Sequence, residues 1–152
     1  TTEKLKKISY LFGTLVKNGI NKVFLDYHIM QRLNLISKNE LKTIEDYLKL
    51  KKIEQIIEYK SNDIIVYGSG FIANEMINKS NFFKKLKNYD VVDTDKERIG
   101  KKINQKIIKS PNIIVNDSRD IVIASAQAYD EILSIIISLK GSSKNVITKL
   151  II

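Results

Sequence analysis

The hydrophobic pattern divides the chain into two parts, with a change of period near residue 60. Through residues 1–60 apolar side chains recur at the spacing of amphipathic helices. One helix is predicted over residues 21–36, with Val23 on its apolar face, and a capping box of Ser37 and Glu40 predicts the start of a longer helix. The apolar stripe of the longer helix is expected to include Leu41, Ile44, Leu48, Ile53, Ile56 and Ile57. The pattern therefore predicts helix throughout this first part.

The second part, residues 61–152, alternates short apolar runs with helical patterns. The runs are typical of buried parallel strands, and they lie at residues 63–68, 89–95, 120–125 and 145–152. Helices are predicted over residues 71–83 and 128–141, and a short extended piece precedes Pro111. This order predicts an α/β fold, a parallel sheet with flanking helices, preceded by an N-terminal helical segment. The predicted division is a helical segment at 1–60 and a sheet domain at 61–152.

A glycine turn joins the first of these strands to the first of these helices. Gly68, Gly70 and Ala73 stand in the pattern G-x-G-x-x-A. In this pattern the first glycine allows a tight turn, the second lets a pyrophosphate approach the backbone, and the third small residue lets the helix pack on the strand. The helix N-terminus would attract the phosphates, and the Ser69 hydroxyl is expected to add a donor. Asp93 follows Gly70 by 23 residues, close to the ~20 expected for a carboxylate that binds a ribose. These features predict a Rossmann-like fold that binds a nucleotide.

The predicted nucleotide site draws on three strand ends, because ligands of open parallel sheets bind at that edge. Its residues are expected to be Gly68, Ser69, Gly70, Phe71, Ile72, Asp93, Asp95, Ser125, Ala126 and Gln127. The acid at the end of the second strand favours a free ribose 2′-hydroxyl, and therefore NAD, while Lys96 and Arg98 leave NADP open. S-adenosylmethionine is less well supported, because methyltransferases carry an acid where this chain has Ile64, Ile65 and Val66.

Four short motifs of the second part resemble those of a known class of module. They are YGSG, VVDTDKERIG, KIIKSP and DIVIASAQAYDEI. In this order they resemble the small Rossmann domains of bacterial surface-sugar enzymes, which include nucleotide-sugar epimerase/dehydratase-like proteins and the C-terminal domain of sugar C-methyltransferases. The resemblance covers about residues 61–150. It implies that Asp93 and Asp95 lie at the ribose, that residues 125–127 face the pyrophosphate or nicotinamide side, and that the chain belongs to surface-polysaccharide or nucleotide-sugar metabolism.

The sequence does not assign catalysis. Epimerases and dehydrogenases of this group carry Tyr-x-x-x-Lys after the glycine turn, as an acid/base pair. Here Tyr129 is followed four positions later by Leu133, and the one matching pair, Tyr47 with Lys51, lies upstream and is interpreted as coincidence. We therefore expect a module of a larger enzyme or a homo-oligomer, with no catalytic residue assigned. Two alternatives stay open: a non-catalytic interaction or regulatory domain, and a methyltransferase-associated module.

Composition narrows the classes of partner. The chain has no cysteine, which excludes disulfides, thiolate zinc sites and a cysteine nucleophile. The net charge is +9, but the basic residues are spread along the chain without interleaved aromatics, which argues against nucleic acid as a partner. Asp93, Asp95 and Glu97 are interpreted as a ribose acid and solvated turn charges, so no metal site is predicted. No apolar stretch reaches the ~18 residues of a membrane span, and we expect a cytoplasmic protein.

Overall fold

The computed structural model describes residues 22–25, 38–50, 52, 54–56, 63–79, 83, 88–125 and 127–150. Within these residues the strands are β1 Lys22–Leu25, β2 Glu54–Ile56, β3 Asp63–Tyr67, β4 Asn88–Val92, β5 Lys102–Ile103, β6 Lys106–Lys109, β7 Asp120–Ile123 and β8 Val146–Leu150. The helices are α1 Lys38–Leu50, α2 Phe71–Lys79 and α3 Tyr129–Lys140, with a 3₁₀ helix at Pro111–Ile114. None of these helices has the length and hydropathy that crossing a bilayer requires.

The strands form one sheet in the order β2-β1-β8-β7-β3-β4-β6-β5. Neighbouring strands are parallel except β5 and β6, which form an antiparallel hairpin. From β6 through β4, β3 and β7 to β8, the sheet has the order 3-2-1-4-5 of a Rossmann fold. The predicted α/β, Rossmann-like class is therefore confirmed. The order in which strands are added reverses between β3 and β7: the chain proceeds from β3 to β4 and β6 on one side, and from β7 to β8 on the other. Open parallel sheets bind their ligands at such a point.

Helices cover the two faces of the central strands. On one face the buried Ile64, Val66 and Val91 form a core with Ala73 and Met76 of α2. Alternate residues of a strand point to opposite faces of the sheet, so Ile65 and Tyr67 of β3 point to the other face. Both are completely buried. Right-handed crossovers place the helix after β3 and the helix after β7 on opposite faces, because the chain moves in opposite directions from these strands. Burial on both faces explains the continuous apolar runs.

The first part of the chain departs from the prediction of helix throughout residues 1–60. The predicted longer helix is confirmed as α1, but it ends at Leu50, and Ile56 of its expected stripe belongs to β2. Val23 lies in β1, paired with Gln55 of β2 and Thr148 of β8. Short apolar segments satisfy helical and strand patterns equally, and here parallel pairing with β8 decides between them. The first part thus adds strands to the sheet, while the division at residue 60 stays a prediction.

An ionic cluster ties the start of β7 to β4. The Arg119 guanidinium donates to both carboxylate oxygens of Asp117 over 2.8–3.0 Å, and its Nη2 lies 2.8 Å from Asp90 Oδ2. Lys109 Nζ donates to Asp90 Oδ1 over 2.9 Å. Burial by itself would raise the pKa of Asp90, but hydrogen bonds from Lys109 and Arg119 outweigh it and lower that pKa. The hydrogen bonds from Arg119 also lower the pKa of Asp117.

Candidate functional site

Three parallel strands end at one level of the sheet. Tyr67, the last residue of β3, is in register with Val92 of β4 and Ile123 of β7. The pairing continues one residue further, because Gly68 N–H donates to Val92 O over 2.9 Å and Ala124 N–H donates to Tyr67 O over 2.8 Å. The residues that follow the three strands therefore start at the same edge.

Gly68 makes the turn out of β3 and cannot be replaced without strain. Its φ is +110°, a conformation that L side chains rarely adopt. A Cβ at this position would lie 3.1 Å from the carbonyl oxygen of Ala124 on the neighbouring strand end. The first glycine of the motif is thus required by the fold itself, whether or not a ligand binds.

Gly70 has a different role, because its φ is not positive. A Cβ at this position would lie 3.2 Å from Arg98 Nη1, the far end of a flexible side chain. Its carbonyl accepts the Asn74 N–H over 3.0 Å, which makes Gly70 the N-cap residue that precedes α2. The N–H groups of the first turn of α2 have no acceptor within the helix, so they can bind an anion. The lack of a side chain at Gly70 leaves them accessible.

The Asp93 carboxylate fastens the glycine turn to the end of β4. Its Oδ2 accepts the Ser69 N–H over 2.9 Å and the Ser69 hydroxyl over 2.5 Å, and its Oδ1 accepts the Asp95 N–H over 2.9 Å. The proton of the Ser69 hydroxyl therefore points to Asp93 in this structure, since the carboxylate can only accept it. That Ser69 donates to a phosphate stays a prediction. A carboxylate has about four lone-pair positions, so Oδ1 keeps one for a further donor.

Arg98 lies beside the carboxylates of Asp93 and Asp95. The sequence predicted it only as a possible contact for the 2′-phosphate of NADP. Its Nε lies 3.6 Å from Asp95 Oδ2, and its Nη1 lies 3.9 Å from Asp93 Oδ2. Both distances are longer than a hydrogen bond, and the Arg98 side chain is 47% exposed while that of Asp93 is 15% exposed. Arg98 is thus a loosely held cation beside a firmly held carboxylate.

The third strand end supplies a short turn into α3. Ser125 Oγ accepts the Ala128 N–H over 3.1 Å, which fixes the turn before the helix. Gln127 is exposed, and Ala126 lies outside the residues that the structure describes. The Ser125 side chain is therefore engaged in shaping its own loop.

These strand ends enclose a cleft of about 480 Å³. All nine of the predicted site residues that the structure describes line it: Gly68, Ser69, Gly70, Phe71, Ile72, Asp93, Asp95, Ser125 and Gln127. The cleft is also lined by four residues outside the predicted set: Arg98, Ala124, Ala128 and Ile132. The spacing of three residues between Asp95 and Arg98 could have indicated that Arg98 lies near the predicted site. The sequence around Ile132 indicated only an ordinary core residue of an amphipathic helix.

A buried tyrosine supports the loop that carries the acids. The Tyr67 hydroxyl and Thr94 Oγ1 are 2.7 Å apart, and the Tyr67 side chain is completely buried. Burial raises the pKa of the Tyr67 hydroxyl, the charge of Asp93 acts in the same direction, and the hydrogen bond with Thr94 acts against it. A phenol held neutral in this way anchors the loop. Within the described residues, no group of acids and histidines has the arrangement of a metal site.

No protein-family model matches the chain, and no curated protein matches it. The solved structures that resemble it at low identity include the following three. A crystal structure of RSP in complex with beta-NADH is 12% identical, with a TM-score of 0.43, and covers 99% of this chain and 85% of that chain. A structure of RSP, a Rex-family repressor, is 13% identical, with a TM-score of 0.44 and coverages of 96% and 83%. RSP in complex with beta-NAD+ and operator DNA is 10% identical, with a TM-score of 0.44 and coverages of 99% and 86%. Likenesses this distant transfer neither a ligand nor a partner to this chain.

Proposed function

We propose that the chain binds a dinucleotide of the NAD type in the cleft at the ends of β3, β4 and β7. One observation carries the proposal: the Asp93 carboxylate is fixed against Ser69 of the glycine turn, with a lone pair of Oδ1 still available. A ribose needs an acceptor at this position relative to a helix N-terminus that binds the pyrophosphate. The size of the cleft is within the ~300–1,000 Å³ of small-molecule sites.

The proposed binding mode assigns one part of the ligand to each strand end. The pyrophosphate lies over the glycine turn and the first N–H groups of α2. One ribose hydroxyl donates to Asp93 Oδ1, and the other donates to Ser69 Oγ, whose own proton already points to Asp93. The nicotinamide end extends toward Ser125 and Gln127.

The charges at the ribose end favour NAD over NADP. A 2′-phosphate beside Asp93 would meet a carboxylate that is largely buried and therefore poorly screened. Arg98 is the nearest cation, but Asp95 and Asp93 both attract it. We accordingly expect the unmodified ribose to bind more tightly.

The binding function does not by itself supply a reaction. Among the described residues that line the cleft, the charged side chains are Asp93, Asp95 and Arg98, and they are engaged with one another. We therefore propose a nucleotide-binding module, either of a larger enzyme or of a regulatory protein. A place in surface-polysaccharide or nucleotide-sugar metabolism rests on the sequence resemblance of residues 61–150 and stays a prediction.

Isothermal titration with NAD⁺, NADH, NADP⁺, S-adenosylmethionine and a UDP-sugar tests the proposal. We expect saturable binding of NAD⁺ or NADH, and weaker binding of NADP⁺. Gly70→Ala should weaken binding strongly, because a methyl group then stands between the helix N-terminus and the pyrophosphate. Ser134→Ala, on an exposed position of α3, serves as a control that should bind normally. Absence of binding to either NAD form by the wild-type chain would overturn the proposal.

A further inference from the structure

We propose that a second cavity, which shares Ser69, Gly70, Phe71 and Arg98 with the cleft, binds a phosphate group carried by a separate small molecule. This basic pocket has a volume of about 440 Å³ and lies between the start of α2 and the β5–β6 hairpin. Its polar and aromatic lining includes Arg98, Lys101, Lys102, Asn74, Asn104 and Phe71. The proposal does not depend on dinucleotide binding.

The charge of the basic pocket has one sign. Three cationic side chains line it, and none of the described residues that line it is acidic. Within the described part of the chain, Lys101 and Lys102 form no ion pair, whereas Lys109 is paired with Asp90. Lys101 and Lys102 therefore add unpaired positive charge to the pocket, beside Arg98, which Asp95 and Asp93 hold only loosely. Unpaired positive charge of this kind attracts an anion. Phosphate is suited to the pocket because a guanidinium and ammonium groups bind its oxygens by charge-assisted hydrogen bonds.

The backbone keeps these cations in place. The Lys101 N–H donates to Arg98 O over 3.0 Å, and its carbonyl accepts the Ile108 N–H over 2.8 Å. Gly100 has a φ of +90° and donates its N–H to Ile108 O over 2.8 Å. Two hydrogen bonds with Ile108 of β6 therefore fix the backbone of the turn that carries the lysines, and both lysines line the basic pocket. A surface tail with the same lysines would have no such fixed geometry.

Phe71 indicates that the ligand carries an apolar or planar part as well as a phosphate. This residue opens α2, its side chain is 72% exposed, and it lines both the basic pocket and the cleft. An exposed aromatic ring beside a cluster of cations provides a surface for the body of a ligand whose phosphate the cations hold. The expected ligand is a phosphorylated small molecule with a ring.

Titration with inorganic phosphate at constant ionic strength, with chloride as the balancing ion, tests the pocket directly. We expect saturable changes in the amide NMR signals of residues 98–104 of the wild-type chain. Lys101→Gln/Lys102→Gln should weaken phosphate binding about tenfold or more, through loss of charge-assisted hydrogen bonds. Lys49→Gln/Lys144→Gln removes the same charge from exposed positions and should bind as the wild type does. Lys101→Arg/Lys102→Arg should retain binding and shows that the hairpin tolerates substitution.

Equal weakening of phosphate binding in both glutamine variants would overturn the proposal, because the loss of affinity would then follow from the lower net charge of the protein alone. Asp93→Asn separates this inference from the proposed function: it should impair NAD⁺ binding and leave phosphate binding intact. Loss of phosphate binding in Asp93→Asn would place the anion in the cleft and reject the second site.

A final comparison distinguishes the source of the phosphate. Phosphate that binds together with NAD⁺ supports a separate ligand, whereas displacement of phosphate by NADP⁺ but not by NAD⁺ would assign the pocket to the 2′-phosphate.

Discussion

The Ser69 N–H and hydroxyl both donate to Oδ2 of Asp93, at 2.9 and 2.5 Å, so one carboxylate joins the glycine turn to the end of the neighbouring strand. The residue expected to bind the ribose therefore also shapes the turn expected to bind the pyrophosphate. Disturbing one of these contacts should disturb the other.

Replacing Asp93 by asparagine should weaken NAD⁺ binding about 10- to 100-fold, the loss expected when a charge-assisted hydrogen bond of ~1.5–3 kcal/mol is removed. The amide has a single oxygen, so it cannot accept from Ser69 and Asp95 and still accept from a ribose hydroxyl. Isothermal titration measures the change. Asp130→Asn on α3 removes the same charge from an exposed position and should leave affinity unchanged. Equal affinities of Asp93→Asn and the wild type would contradict the ribose assignment.

The two glycines of the turn should respond differently to alanine. Gly68→Ala should lower the free energy of unfolding by about 1–3 kcal/mol, because it forces a Cβ into a left-handed conformation against the Ala124 carbonyl. Gly70→Ala should cost less than about 1 kcal/mol, because its Cβ meets only the mobile end of Arg98. Urea unfolding followed by circular dichroism measures both. The assignment of separate roles fails if the two variants are destabilised equally.

Arg119 should make the stability of the protein sensitive to acid. The pKa values of Asp90 and Asp117 are lower in the folded than in the unfolded chain, so their contribution is complete above about pH 4 and is lost as the pH falls through their folded values. Arg119→Met should lower the free energy of unfolding at pH 7 by about 1–3 kcal/mol and flatten its dependence on pH below about 4. Unfolding curves measured from about pH 2 to about pH 7, which covers the titration of carboxylates, provide the measurement.

A matched control for this experiment is Arg98→Met, which removes an equal charge from loosely held and half-exposed contacts. It should change stability by less than about 1 kcal/mol, as surface ion pairs generally do. An acid response in Arg119→Met that parallels the wild type would show that other carboxylates control it.

Tyr67→Phe should loosen the loop that carries Asp93 and Asp95. Loss of the hydrogen bond with Thr94 should lower the free energy of unfolding by about 0.5–1.5 kcal/mol. Burial raises the pKa of the Tyr67 hydroxyl above its usual value. The wild-type chain should therefore lose stability as the pH rises beyond about 10, because the unfolded chain ionises this phenol first, and the variant should lack that loss. Unfolding measured in alkaline buffers distinguishes the two.

The central sheet could be predicted from the sequence because local patterns and tertiary environment agree there. The strands β3 and β7 are apolar on both faces, and the turn at Gly68 has one dominant backbone solution. Parallel strands end at a common edge, so residues that follow them in sequence meet in space. This explains why all the described residues of the predicted site line one cleft.

Other features depended on contacts that no local pattern encodes. Val23 belongs to a strand only because β8 pairs with it, and the same residues fit the apolar face of a helix. Ser69 donates to Asp93 because the register of β3 and β4 brings them together across 24 positions of sequence. Arg98 lines both cavities, which its neighbours in sequence do not indicate.

The pairing of β1 with β8 has a consequence for the order in which the protein is made. In the sheet, β1 lies between β2 and β8, and its residue Lys22 is in register with Ile147 of β8. A ribosome completes β1 long before it completes β8, so during that interval the edge of β1 that later pairs with β8 is open. Until β8 is inserted, β7 also presents an open edge that can pair with other chains. The sheet therefore closes late, and the emerging chain passes through an interval in which it depends on protection from aggregation.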